Sequence, residues 1–267
     1  MNILSIETTG KYGSAAVITD DGRVYGAASR EEMNHLKGII SVIDDAINNA
    51  GLTKQDLSHI AASIGPGSFT GIRIGVTTAR TLAQMFGLPC IAVSSLEAMA
   101  ERAAGYAASN GCRYVAALIN ARRNQTYAGA WKLFLPSDSI AIYEGHDSLR
   151  CADIICPERQ YMIDELLAIL KDKAALTDDK ICFTGDGVDA YLDIIESVMD
   201  DVSFAVAPEE LRYQDAVQVA LIGRRKAEAG DTSSYDALLP EYMRLAEAEQ
   251  RLKAGTLSDK IKRPQKI

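Results

Sequence analysis

The order of elements read over residues 1–108 starts again near residue 112, and this repeat constrains the fold more than any single motif. Asn2–Ile6, Ser14–Thr19 and Arg23–Ala28 read as strands, the last two joined through Asp20-Asp21-Gly22, where Asp-Gly signals a hairpin. Met33–Ala50 then shifts to helical period, with Leu36, Ile40, Ile43, Ile47 and Ala50 in one stripe. A strand is expected at His59–Ile64, a helix at Thr70–Phe86 and a strand at Pro89–Val93. Ser94-Ser95-Leu96-Glu97 has the spacing of a capping box that opens a third helix. In the second half, Arg113–Ile119, Thr126–Phe134 and Ile140–Glu144 read as strands, followed by a helix over Pro157–Leu170 with proline at its first position. Lys180–Thr184 and Val202–Val206 are expected as strands, with helices at Val188–Met199 and Gln214–Ala229. Both halves run strand–strand–strand–helix–strand–helix–strand–helix, which predicts an α/β protein of two similar lobes. The lobes are expected at 1–108 and 109–210, with the helix at 213–229 packing back on the first and a flexible basic tail over 250–267.

Charge and cysteine usage exclude several function classes. Lys and Arg total 28 against 36 Asp and Glu, and a net charge of −8 gives no bulk attraction to a phosphate backbone. The five cysteines are odd in number, scattered and free of a Cys-x-x-Cys pair, which argues against a disulfide framework or structural zinc. The longest uncharged run, Thr81–Leu96, has only 16 residues and includes Gln, Gly, Pro and Ser, too short and polar to span a bilayer. With no basic stretch before an apolar core at the start, the expectation is a cytoplasmic protein without a membrane partner.

Two constellations carry functional readings beside plainer structural ones. Thr8 and Thr9 at the first strand end, with Gly185, Asp186 and Gly187 at a matching place in the second half, could cradle a phosphate across a cleft. The plain alternative is a pair of tight strand-to-helix turns, since no Walker or dinucleotide fingerprint is present. The most distinctive segment is Gly65-Pro66-Gly67-Ser68-Phe69-Thr70-Gly71-Ile72-Arg73-Ile74-Gly75. Along the helix it opens, Gly71, Gly75, Ala79 and Ala83 form a stripe of small residues that admits a close neighbour. Ile72, Val76, Leu82 and Phe86 are expected to face the sheet. The apolar arc of the Met33–Ala50 helix, widened by Ile39, Val42 and Ala46, exceeds what one sheet face needs. Together these suggest a helical interface with a partner chain through Leu36, Ile39, Ile43, Gly71, Ile74, Gly75, Thr78, Ala79 and Leu82. Close packing within the lobe is the alternative.

Catalytic groups are sparse. His35, His59 and His146 form no ligand pair, Cys151 and Cys156 read as core thiols, and Glu7 is a lone strand-end carboxylate, insufficient for a two-metal site. Lys253, Lys260, Lys262, Arg263 and Lys266 against Asp259 make the tail locally basic. It reads as a solvated extension, with grazing contact to RNA as the alternative.

The segments Ile3–Thr9, Gly65–Gly75 and Gly185–Gly187 together resemble the TsaB family, Gcp-like (YeaZ-type) proteins of tRNA threonylcarbamoyladenosine biosynthesis, over roughly residues 1–250. The resemblance implies the duplicated actin/Hsp70/sugar-kinase-like (ASKHA, ribonuclease H-like) fold and a non-catalytic dimerisation subunit that binds and activates the transferase TsaD. It implies TsaE, an ATPase, as a further partner, self-pairing when TsaD is absent, and tRNA contact only through partners. Catalytic relatives carry Asn-His-x-x-x-His where this chain has Ser94-Ser95-Leu96-Glu97-Ala98-Met99, so Ser95 and Met99 replace the metal-binding histidines. The family's Asp-Ala-Arg followed by Glu here reads Asn120-Ala121-Arg122-Arg123-Asn124-Gln125. No cofactor is required on this reading, beyond weak ATP or ADP at an interface. The alternative from another class is an active ATPase or sugar kinase of the same fold, with a metallopeptidase a distant third.

Overall fold

The structure, a computed structural model, describes residues 1–29, 35–134, 150–177 and 179–243, with residues 35–37 described in backbone only. The strand expected at Ile140–Glu144 and the basic tail lie outside the described residues. The first sheet holds β1 (Ile3–Glu7), β2 (Ser14–Ile18), β3 (Val24–Ala28), β4 (His59–Gly65) and β5 (Cys90–Ser94), ordered β3-β2-β1-β4-β5. The second holds β6 (Cys112–Arg122), β7 (Gln125–Phe134), β8 (Arg150–Met162), β9 (Lys180–Thr184) and β10 (Phe204–Val206), ordered β10-β9-β6-β7-β8. Each sheet is built outward from its first strand in one way. β1 lies antiparallel to β2 and parallel to β4, and β6 lies antiparallel to β7 and parallel to β9.

The helices are α1 (His35–Asn49), α2 (Phe69–Phe86), α3 (Ser95–Ser109), α4 (Ile163–Thr177), α5 (Asp186–Val198) and α6 (Ala216–Glu228). Ile39, Val42, Ile43, Ala46 and Ile47 of α1 and Ile72, Val76, Ala79 and Ala83 of α2 share one buried cluster with Leu4, Ile6, Ala15 and Val17 of the first sheet. α4 and α5 cover one face of the second sheet through Leu166, Leu167, Leu170, Val188 and Ile195. The two remaining helices exchange sheets. α3 precedes the second sheet in the chain, yet Leu96, Met99, Ala103 and Ala107 pack on its Val115, Ala117, Trp131 and Cys182. α6 follows the second sheet but seals the first, where Val219, Ala220 and Ile222 meet Ile3, Ala16, Ile18, Ala61 and Ile91. Ser5 Oγ donates to Ala216 O at 2.7 Å, and Glu101–Arg225 and Arg102–Asp215 pairs join α3 to α6 at 2.5 and 3.0 Å.

One element differs from its sequence signal. Pro157 does not open a helix; it sits within β8, and α4 begins at Ile163. β8 is the edge of its sheet and its register with β7 slips between Ala128↔Arg159 and Ala130↔Cys156, so the missing proline N–H breaks no regular ladder there. Ser94 caps α3 as its spacing suggests, accepting from the Leu96 and Glu97 N–H groups.

Candidate functional site

At the first lobe's strand end the small residues of α2 serve that lobe's own interior. Thr8, 0% exposed, donates its hydroxyl to Gly71 O at 2.7 Å. A Cβ at Gly71 would overlap the Thr8 carbonyl oxygen, and one at Gly75 would overlap Thr8 Oγ1. Gly71 and Gly75 therefore lie on the exit turn of β1, and Ala79 and Ala83 are buried in the same lobe's core, not on a partner helix. This overturns the interface assignment for Gly71, Gly75 and Ala79, all buried. Two intrahelical glycines cost roughly 0.8–1.0 kcal/mol each against alanine, and contact with Thr8 is what offsets them. Thr9 is also buried: its N–H and its hydroxyl (2.6 Å) both donate to Glu7 Oε1. Ser68 N–H donates to Thr9 O at 2.8 Å, and Ser68 Oγ caps α2 through Gly71 N–H.

Glu7 is fully buried. Among the described residues, its Oε2 and the neighbouring Ser63 Oγ have no hydrogen-bond partner. Burial pushes its carboxyl up from the ordinary range, against the hydrogen bonds from Thr9 and the nearby Ser63 hydroxyl dipole, and the Asp215 charge adds to the rise.

The second lobe repeats the glycine device. α5 starts directly after Gly185, whose φ of 103° is open to glycine. A Cβ there would overlap Leu118 O of β6, and one at Gly187 would press on Leu118 Cβ at 2.8 Å. Asp186 Oδ1 accepts from Asn120 N–H at 3.1 Å, while Asn120 Oδ1 accepts from Arg122 N–H (2.8 Å) and Tyr191 Oη–H (3.2 Å). Burial raises the Asp186 carboxyl, with the Asn120 N–H pulling it back. The hairpin after Asn120 carries positive φ at Arg122, Arg123 and Asn124, a tight turn.

A phosphate cradle made from these turns does not fit the donor set. The Thr8 and Thr9 hydroxyls serve Gly71 O and Glu7, Thr184 Oγ1 donates to Leu211 O at 3.2 Å, and the glycine faces are filled by the chain itself. Ser95 and Met99 likewise do not fit a divalent ion. Ser95 Oγ donates to Pro66 O, and Met99 Sδ packs beside Gly185, 2.8 Å from where a Cβ would stand.

Two features lay hidden in the sequence. A cleft of about 680 Å³ opens where the chain returns to the first lobe, lined by Tyr12, Ser14, Gly26–Ser29, Arg102, Glu209, Glu210, Tyr213–Asp215 and Val217. Lys11 lies 5.3 and 5.6 Å from the Tyr12 and Tyr213 ring centres beside it. Its only sequence signal is the Asp215 N-cap ahead of α6. Between the lobes, Ser94 Oγ donates to Glu158 of β8, with Glu97 and Glu101 nearby on α3. Burial pushes the Glu158 carboxyl up to about 7; the Ser94 hydrogen bond opposes this, and the Glu97 and Glu241 charges reinforce it.

Outward from the core, α1 and α2 form a mixed face. Ile39 and Ile43 are core residues, 4% and 3% exposed, because the wide apolar arc of α1 is consumed by β1, β2 and α2; this corrects their interface assignment. Leu36 lies in α1 among residues described in backbone only. Ile40 (55%) and Met85 (70%) are exposed, and Ile74, Thr78 and Leu82 are half-buried between them. Leu82 and Phe86 line a small cavity with Ile40, Ile43 and Ile47 of α1 and Leu4 of β1, so they meet the α1 groove as well as the sheet.

Two equivalent five-stranded sheets, a shared interlayer of exchanged helices and strand-end turns at corresponding places define the actin/Hsp70/sugar-kinase-like class. The family model described as "TsaD: tRNA N6-adenosine threonylcarbamoyltransferase" matches residues 28–252. Among curated relatives, the tRNA threonylcarbamoyladenosine biosynthesis protein TsaB of Bacillus subtilis is 30% identical over 254 residues, covering 94% of this chain and 97% of the relative. TsaB of Escherichia coli is 33% identical over 148 residues, 55% of this chain and 61% of its own. The solved structure of YeaZ from Pseudomonas aeruginosa superposes with a TM-score of 0.69 at 25% identity, covering 90% of this chain and 99% of the other. This chain belongs to the TsaB family.

Proposed function

We propose that the chain takes part in tRNA threonylcarbamoyladenosine biosynthesis as a non-catalytic subunit that binds and activates a TsaD-type transferase. The observation that carries this reading is the outward α1–α2 face. Ile40 at 55% and Met85 at 70% exposure flank Ile74, Thr78 and Leu82, so apolar side chains are left toward solvent although both helices have filled their sheet contacts. A matching helix pair from the transferase would bury that face, with ridges of one pair in the grooves of the other. A second copy of this chain would compete for the same face, and the ATPase TsaE would join the assembled pair.

The donor chemistry at Ser95 and Met99, and the commitment of Thr8 and Thr9 to internal bonds, favour this reading over an ATPase or kinase. No described helix is long and apolar enough to cross a membrane. The test is co-expression with the cognate transferase followed by affinity co-purification and light scattering. The wild-type chain is expected to co-elute. Ile40→Glu with Met85→Glu, which alters only exposed positions, is expected to keep the native circular dichroism spectrum and lose the partner. Undiminished co-elution of the double variant would refute the assignment of this face.

A further inference from the structure

We propose that the cleft between the end of β3 and the start of α6 binds a small organic cation, an alkyl chain carrying two or more amino or guanidino groups. The cleft shares no residue with the α1–α2 face, so the inference goes beyond the proposed function and does not depend on it.

The space itself follows from small side chains. Gly26-Ala27-Ala28-Ser29 carries nothing larger than a hydroxymethyl group, so the end of β3 leaves the gap toward Tyr213 and Val217 unfilled. At about 680 Å³ the cleft falls within the range of small-molecule sites. Its other wall is aromatic. Tyr12 and Tyr213, both half-buried, stand edge to face at 84° with ring centres 6.1 Å apart. The Lys11 ammonium lies 5.3 and 5.6 Å from those two centres, so this pair of rings already draws a cation toward its faces.

The ionic lining consists of three carboxylates, Glu209, Glu210 and Asp215, against one guanidinium, Arg102. Arg102 is committed: its Nη1 donates to Tyr213 O at 3.0 Å and pairs with Asp215 Oδ2 at 3.0 Å. Asp215 is committed as well, because its other oxygen accepts from Val217 N–H at 2.9 Å. Glu209 and Glu210 are exposed, and their side chains make no hydrogen bond or ion pair among the described residues. The Glu209 charge reaches the aromatic wall. Burial raises the Tyr213 phenol, the Lys11 charge opposes this, and the charges of Glu209, Asp189 and Asp186 reinforce it. Of the lining ionic groups, those left uncommitted are both negative.

Other ligand classes find no matching groups. A phosphate would seek the N-terminus of α6, but Ala216 N–H already donates to Ser14 Oγ at 3.0 Å and Val217 N–H to Asp215. A bare divalent ion is no better served, since no group of three or more His, Cys, Asp and Glu side chains able to hold a metal occurs among the described residues. Ring faces and methyl groups suit an alkyl chain, and the two free carboxylates suit its charged heads. Cation–π and carboxylate attraction then act on one ligand.

The test is isothermal titration calorimetry of the full chain at low salt, with spermidine and, separately, with acetyl-Lys-Gly-Lys amide. Saturable one-to-one binding is expected. Tighter binding of spermidine assigns a free polyamine as the source of the cation, and tighter binding of the peptide assigns a basic segment of a polypeptide. Glu209→Gln with Glu210→Gln is expected to weaken binding at least roughly ten-fold. Tyr213→Leu is expected to weaken it about five-fold, while Tyr213→Phe, which keeps the ring, stays near wild type. Circular dichroism confirms that each variant is folded. Magnesium chloride at matched ionic strength is expected to leave the affinity unchanged. Failure of both probes to bind, wild-type affinity in the double Gln variant, or displacement by magnesium overturns the proposal. ATP binding that disappears in Tyr213→Leu would make the cleft an anion site and also overturns it. Equal losses in Tyr213→Leu and Tyr213→Phe overturn the aromatic wall. Transferase co-purification is expected to survive in every one of these variants, so failure here leaves the proposed function standing.

Discussion

The two lobes solve one backbone problem with different polar chemistry. In each, the helix after the fourth strand of the repeat must lie against the end of the first strand, and in each a pair of glycines permits it: Gly71 and Gly75 against Thr8, Gly185 and Gly187 against Leu118. Beyond that the lobes part. The second lobe ties its turn with a satisfied chain, Asp186 to Asn120 to Tyr191. The first buries a carboxylate with one unpartnered oxygen beside an equally unpartnered Ser63 hydroxyl. The glycines are thus the requirement the two lobes share, and the polar groups around them differ.

The largest expected effect breaks the shared part. Gly75→Leu forces a side chain into Thr8, and Gly185→Ala combines a left-handed φ with overlap on Leu118 O. Each is expected to destabilise by upwards of about 3 kcal/mol, read by urea unfolding. A folded Gly75→Leu monomer would show that the close approach is dispensable.

The polar difference predicts a smaller and pH-dependent effect. The folded-state pKa of Glu7 is raised, so its proton favours the folded state: that contribution is complete below about 4.5 and is lost as pH rises through the folded value. Glu7→Gln, a neutral isostere whose amide can donate toward Ser63, is expected to stabilise at pH 7 by on the order of 1 kcal/mol, about 2–4 °C in Tm. The gain should shrink toward pH 4 in thermal melts. Asp186→Asn, which keeps an acceptor for Asn120 N–H, should stay within about 0.5 kcal/mol of wild type. Equal responses from the two would remove the distinction between the lobes.

Glu158 sharpens the contrast at the junction. Burial raises its pKa to about 7 against the opposing Ser94 hydrogen bond, so the stabilisation that a proton lends the buried carboxyl fades as pH climbs through that value. Glu158→Gln is expected to gain on wild type by a degree or two above pH 7 and to match it near pH 4.5, measured by scanning calorimetry. The smallest expected effect is at the β6–β7 hairpin. Arg123→Gly relieves one of three left-handed residues and should be neutral or stabilising by up to about 1 kcal/mol in urea unfolding.

Much of the architecture was legible because its signals are local. Asp21-Gly22 closes the β2–β3 hairpin, Ser94 caps α3, and the repeated element order reappears as repeated sheet topology. What failed was directional. The Gly71–Ala83 stripe announced a close neighbour, but nothing local names Thr8, 63 residues away, as that neighbour. The arc of Ile39, Val42 and Ala46 looked too wide for a sheet because the neighbouring α2 could not be counted in. Pro157 carried a helix-start signal that an edge strand tolerates equally well. The cleft around Tyr12, Arg102 and Tyr213 and the Glu97–Glu101–Glu158 group combine residues from both ends of the chain, and no periodicity marks them.

The exchange of α3 and α6 also sets a schedule for synthesis. When residue 109 leaves the ribosome, the first sheet still lacks the helix that covers Ile3, Ala16, Ile18 and Ile91. The second sheet, already supplied with α3, has its covering helices as soon as α5 and β10 emerge. The half translated later is therefore expected to close first, and the nascent first half must wait, one greasy side bare, until residue 228 arrives.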